Sequence, residues 1–162
     1  MQAIYCDGSI CDMGDATQIS NEELLQLNVD VLIPAALENQ ITERNVHQIR
    51  ASLIFEVANG PISFAADQAL INRGVKILPD ILVNAGGVTV SYFEWVQNRT
   101  GWYWTRDEVN DRLRTRMVEE TENICALAQS QGVSHRLAAY IHALNRLGGA
   151  IDAKGTQEYY RS

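Results

Sequence analysis

Three short runs in this chain set small side chains beside groups that can recognise a polar ligand: Pro34-Ala35-Ala36, Ala58-Asn59-Gly60-Pro61 and Asn84-Ala85-Gly86-Gly87. An asparagine amide offers both a donor and an acceptor, matching a carboxamide or a ribose hydroxyl. Alanine and glycine beside it let a flat ring approach the backbone closely. Taken singly, each run has a plain structural explanation, since Asn-Gly-Pro is a common turn and Gly-Gly ahead of a helix serves as a hinge. Val88 and Ser91 follow on the helix that Gly86-Gly87 should open. There a hydroxyl near free backbone N–H groups suits a carboxylate. On periodicity alone, Ser91 is a solvent-facing or back-bonding serine.

The elements around these runs give them a common location. Ser20-Asn21-Glu22-Glu23 has the form of a capping box opening a short helix through Leu27. Strands are expected at Val29 to Ile33, Ser52 to Val57 and Val75 to Leu78, with helices from Thr42 to Arg50 and from Ser63 to Arg73 between them. Pro34, Gly60-Pro61 and Pro79 punctuate the strand exits. Alternation of this kind predicts a parallel sheet covered by helices. In such sheets ligands bind beyond the carboxyl ends of the strands, which is where all three runs fall.

Beyond Pro79 the chain reads as helical. One helix is expected from Val88 to Val96, and a second capping box at Thr105-Arg106-Asp107-Glu108 opens a long helix to Gln131. Gly132 ends that helix, a last one runs from Ser134 to Leu147, and the tail from Gly148 is expected to fray. Trp102-Tyr103-Trp104 is expected to be a packing anchor, and Arg112, Arg114 and Arg116 beside Glu119, Glu120 and Glu122 a solvated face. The fold class is therefore α/β: a partial parallel sheet of about three strands followed by a helical C-terminal third, within a single domain spanning 1–162.

Composition narrows the function. A net charge of -7 and a pI near 4.9, without any basic cluster, argue against nucleic acid and against an anionic membrane surface. Cys6, Cys11 and Cys125 lack metal-type spacing relative to His47, His135 and His142, so buried thiols are expected and no metal site. The start of the chain has no signal-peptide pattern, and a cytoplasmic location is the expectation.

Two long segments, Val31 to Thr42 and Pro79 to Trp95, together with Ala58-Asn59-Gly60-Pro61, resemble glutamate dehydrogenases in order and spacing. These enzymes belong to the Glu/Leu/Phe/Val dehydrogenase superfamily. The resemblance runs from near Ser20 to near Ala150, and the Pro79 to Trp95 stretch is its most specific part. It implies a Rossmann-like domain, NAD or NADP as coenzyme, and oxidative deamination of L-glutamate to 2-oxoglutarate and ammonia. It also implies that Ala35, Ala36, Asn59 and Asn84 lie along the coenzyme, and that Val88 and Ser91 meet the substrate.

The departures are equally specific. The resemblance covers only the C-terminal part of a coenzyme-binding domain. The lysine and aspartate that the family's substrate domain supplies have no counterpart, since the only lysines are Lys76 and Lys154. No two glycines are spaced Gly-x-Gly, so the pyrophosphate turn is missing too. Val57 stands where the family has glycine, and Ile62-Ser63-Phe64-Ala65 replaces a more polar run. The leading expectation is a truncated dehydrogenase chain that is inactive alone. The alternatives are a non-enzymatic binding, regulatory or assembly module, and a split enzyme completed by another polypeptide. Half a sheet also exposes an edge, so self-association or a protein partner covering that edge is expected.

Overall fold

The computed structural model describes residues 19–154, together with a two-stranded antiparallel pair, β1 (Cys6–Asp7) and β2 (Ile10–Cys11). The expectations for the thiols of Cys6 and Cys11 and for the Lys154 side chain lie outside the described residues.

A three-stranded parallel sheet forms the centre, with β3 (Val31–Leu32), β4 (Leu53–Phe55) and β5 (Lys76–Leu78) in the order β3-β4-β5. Leu32 lies beside Ile54, and Ile54 beside Ile77. Alternation sends all three to one face, where they join Ile41, Ile49 and Leu70 in the core. Val31 on edge strand β3 and Ile33 just after it are exposed, leaving apolar surface beside that edge.

Helix α1 (Asn21–Leu25) starts at the Ser20–Glu23 capping box, and α2 (Phe64–Asn72) is capped by the Ser63 hydroxyl. The helix expected from Thr42 to Arg50 does not form. Only a 3-10 turn, η1 (Val46–Gln48), is present. Asn45 explains the difference: its Oδ1 accepts from the Thr42 amide at 2.8 Å and its Nδ2 donates to the Gln40 carbonyl at 2.8 Å. Such local bonds offer the backbone an alternative to helix. The Arg73 guanidinium, reaching over from the end of α2, donates to the Val46 and Ile49 carbonyls at 2.6 Å each.

The C-terminal third is helical, as expected, but two of its helices are longer. A one-turn helix, α3 (Asp80–Val83), leads into α4 (Ala85–Thr100), so Gly86-Gly87 is the first turn of α4 rather than a hinge before it. Helix α5 (Arg106–Gln131) begins at the Thr105–Glu108 capping box and stops at Gly132, whose φ of 65° is left-handed and suits glycine. Helix α6 (His135–Lys154) runs through Gly148 and Gly149, which corrects the fraying expected from Gly148 as far as Lys154, and the rest of that tail lies outside the described residues. A second cluster, with Leu82, Ile124, Ala128, Ala138 and Ala139, joins α3, α5 and α6.

The aromatic anchor is one residue rather than three. Trp104 meets Phe93 edge-on at 5.6 Å and carries the Arg112 guanidinium 4.1 Å above its ring, whereas Trp102 remains 72% exposed and Tyr103 is exposed too. Among the described residues no cluster fit to hold a metal occurs, and no helix is long and apolar enough to cross a membrane.

Candidate functional site

The three small-residue runs converge at the carboxyl ends of the sheet. The Pro34 carbonyl accepts from the Val57 amide at 3.1 Å and the Ala58 amide at 2.9 Å, drawing the β3 and β4 exits together. Ala35 and Ala36 follow directly and are exposed. Across the next gap, Asn84 Nδ2 donates to Asn59 Oδ1 at 2.6 Å and to the Val57 carbonyl at 3.4 Å. Gly60 takes the turn after Asn59 with φ of 53°, a conformation glycine adopts without strain.

Asn84 holds the N-cap position of α4, yet its side chain makes no capping bond. An asparagine cap contributes about 1 kcal/mol to a helix, and that contribution is forgone here. The amide turns instead toward Asn59. Among the described residues, Asn59 Nδ2 and Asn84 Oδ1 have no partner, so the pair presents a donor and an acceptor side by side. A carboxamide such as that of nicotinamide has the complementary set. In this respect the residues present fit the coenzyme. Val57 works against it, since its side chain is 41% exposed at the same exit.

Val88 and Ser91 lie on the first two turns of α4, both exposed. Because α4 starts at Ala85, Ser91 sits in its second turn, beyond the free N–H groups expected to assist it. Its hydroxyl makes no hydrogen bond among the described residues. Val88 borders a groove of about 570 Å³ between α4, α5 and α6, with Tyr92, Arg116, Glu120 and Arg146 also on its walls. Glu120 accepts from Arg146 at 2.6 Å and Arg116 at 3.4 Å, and meets His142 Nε2 at 2.7 Å. Burial works against its charge, but His142 and Arg146 prevail and hold the carboxyl below its usual range. The face expected to be merely solvated thus contains a structured ion cluster.

Sequence reasoning passed over a group beneath the strand exits. Arg136, in the first turn of α6, donates to Asp67 on α2 through Nε at 3.0 Å and Nη2 at 2.8 Å, to Glu56 at 2.8 Å and to Asp80 at 3.4 Å. Glu56 is fully buried, and burial raises its carboxyl above the usual range even though Arg136 counteracts the shift. Its Oε1 has no partner, a desolvation cost of about 1–3 kcal/mol. One signal was available. Alternation places Glu56 on the same face as Ile54, and a carboxylate on a buried strand face demands a cation.

The fold and these exits define an open parallel α/β protein whose Asn59 and Asn84 amides stand beyond the carboxyl ends of its strands. The chain belongs to the glutamate/leucine/phenylalanine/valine dehydrogenase family, which it matches over residues 6–155. It is 63% identical over 161 residues to the NADP-specific glutamate dehydrogenase of Synechocystis sp., covering 99% of this chain and 38% of that protein. It is 47% identical over 148 residues to an NAD-specific glutamate dehydrogenase of Staphylococcus aureus, covering 91% of this chain and 36% of the relative. Among solved structures, the hetero-hexameric glutamate dehydrogenase of Thermus thermophilus superposes with a TM-score of 0.80 at 31% identity, over 86% of this chain and 34% of its own. That of Peptoniphilus asaccharolyticus gives 0.72 at 42% identity, over 76% and 31%. The chain therefore spans well under half the length of these relatives.

Proposed function

We propose that these residues form the nicotinamide side of the coenzyme site of an NAD(P)-dependent glutamate dehydrogenase and do not turn over glutamate alone. In this reading they are the C-terminal part of a Rossmann-like coenzyme-binding domain. The observation that carries it is the Asn59–Asn84 pair, an amide contact at 2.6 Å that leaves one donor and one acceptor free at the strand exits. Asn59 and Asn84 hold the carboxamide and ribose edge, Ala35 and Ala36 give the dinucleotide clearance, and Val88 and Ser91 face the glutamate side chain. When bound, the nicotinamide supplies the hydride acceptor.

Hydride transfer needs donor and acceptor in near-attack geometry, and the accompanying proton transfers need a base such as lysine. Lys76 lies within β5, and the Gly-x-Gly turn is lacking in these 162 residues. Both explain why no turnover is expected without further protein.

Titration of the purified chain with NADH and NADPH, followed by fluorescence or calorimetry, tests the reading. Saturable binding without glutamate-dependent NAD(P)H formation supports it. Absence of binding up to millimolar coenzyme would sink the half-site, and turnover that survives clean preparation would refute the inactivity. A second reading, an assembly module without catalysis, draws support from the open apolar edge at β3, where Val31 and Ile33 are exposed. A monodisperse monomer that binds no hydrophobic dye would argue against a partner at that edge.

A further inference from the structure

We infer that Arg136 is a positioning residue for the Asn59–Asn84 pair, acting from the start of α6 through Glu56 and Asp80. The inference rests on the reading of that pair as the coenzyme-facing group. Its basis is a continuous set of contacts. Arg136 Nη1 donates to Asp80 Oδ1 at 3.4 Å, while Asp80 Oδ2 accepts from the Gly60 amide at 2.9 Å. Gly60 directly follows Asn59, so the turn presenting Asn59 is held by a carboxylate that Arg136 itself holds.

The second branch runs through Glu56. Its Oε2 accepts from Arg136 Nη2 at 2.8 Å and from the Asp80 amide at 3.0 Å. Glu56 is followed by Val57, whose carbonyl accepts from Asn84 Nδ2. Asp80 opens α3, the single turn that leads to Asn84. Each asparagine is therefore two hydrogen bonds and one residue step from the same guanidinium.

Asp67 adds the anchor. Two of the nitrogens of Arg136 converge on Asp67 Oδ1, tying α6 to α2 and orienting the planar fork so that the remaining nitrogen reaches Asp80. Lysine carries three donors too, but on one compact nitrogen at the end of a flexible stem, so it does not reproduce the fixed fork that spans the three carboxylates here. Arg136 is placed by the packing of α6 on α5, so the helical third of the chain governs the geometry of a site on the sheet.

The test uses the 162-residue chain, isotope-labelled for NMR. In Arg136→Met, exchange of the Gly60 amide should quicken at least tenfold and the Asn84 side-chain amide signals should move to their free positions, while the Leu53 and Lys76 amides, bonded to the Asp30 and Ser52 carbonyls, remain protected. Arg136→Lys, which keeps the charge, should restore part of both effects and serves as the folded comparison if the methionine variant is unstable. Unchanged Gly60 and Asn84 signals in either folded variant would overturn the proposal. So would equal loss of protection at Leu53, Lys76 and Gly60, the mark of a cluster that only holds the fold. Titration of the wild-type chain with NADH is read separately: failure to bind removes the coenzyme reading, whereas the exchange data still decide whether Arg136 sets the asparagine pair.

Discussion

The side-chain amide of Asn84 donates to that of Asn59 at 2.6 Å, joining the exits of two adjacent parallel strands. Neither residue needs this bond for secondary structure, since Asn84 serves as a helix cap without using its side chain. Asn84→Ala should therefore leave the fold intact and weaken NADH or NADPH binding. One neutral hydrogen bond is worth about 0.5–1.5 kcal/mol, or roughly twofold to tenfold in affinity. Calorimetric titration of wild type and variant checks this. An unchanged affinity would mean that the pair is only structural.

Val57→Gly should move affinity the other way. The Val57 side chain stands 41% exposed beside the Pro34 and Asn84 contacts, where the family pattern has glycine. Removing it clears the approach to Asn59, and coenzyme binding should tighten several-fold. Glycine at such a position costs about 0.5–1 kcal/mol of stability. Paired binding and denaturant curves would show the opposed effects, and weaker binding by the glycine variant would contradict a steric role for Val57.

The strand exits are legible in the sequence because proline and glycine punctuate them: Pro34 and Pro79 lie just past β3 and β5, and Gly60-Pro61 closes the loop that leaves β4. The capping boxes at Ser20 and Thr105 are legible for a similar reason, as each is a local pattern of polar groups whose bonds form within four residues. Reasoning of this kind loses force where contacts are distant. Arg136 and Glu56 are 80 residues apart, and no spacing announces their pairing. Thr42 to Arg50 misleads for the converse reason, because Asn45 bonds locally and diverts the backbone from helix. Gly86-Gly87 and Gly148-Gly149 mislead because glycine's low helix propensity, about 1 kcal/mol per residue, is too weak an effect to end a helix by itself.

Burial separates core from candidate site. Leu70 is fully buried among Ile41, Ile49 and Ile54, so Leu70→Ala should cost about 2–5 kcal/mol in denaturant unfolding. Val88 is 70% exposed, and Val88→Ala should change stability by no more than about 0.5 kcal/mol. If Val88→Ala instead proved as costly as the core variant, Val88 would be a packing residue, and its assignment to a substrate pocket would lose its motive.

Acid should weaken the cap of α5. The Glu108 carboxylate accepts from the Thr105 backbone N–H at 2.7 Å and from its hydroxyl at 3.0 Å, and these bonds hold its pKa below the ordinary carboxylate value. A carboxyl whose folded pKa is depressed binds fewer protons when folded than when unfolded in the interval between the two values. Its stabilisation is therefore complete above the unfolded pKa and disappears as pH falls through the depressed folded one. Glu108→Gln keeps an acceptor but removes the charge near the positive helix end, so it should melt at a lower temperature than wild type at pH 7. The two melting temperatures should converge as the solution is acidified below the ordinary glutamate range. A gap that persisted unchanged into strong acid would show that the charge of Glu108 contributes nothing and that the cap rests on Thr105 alone.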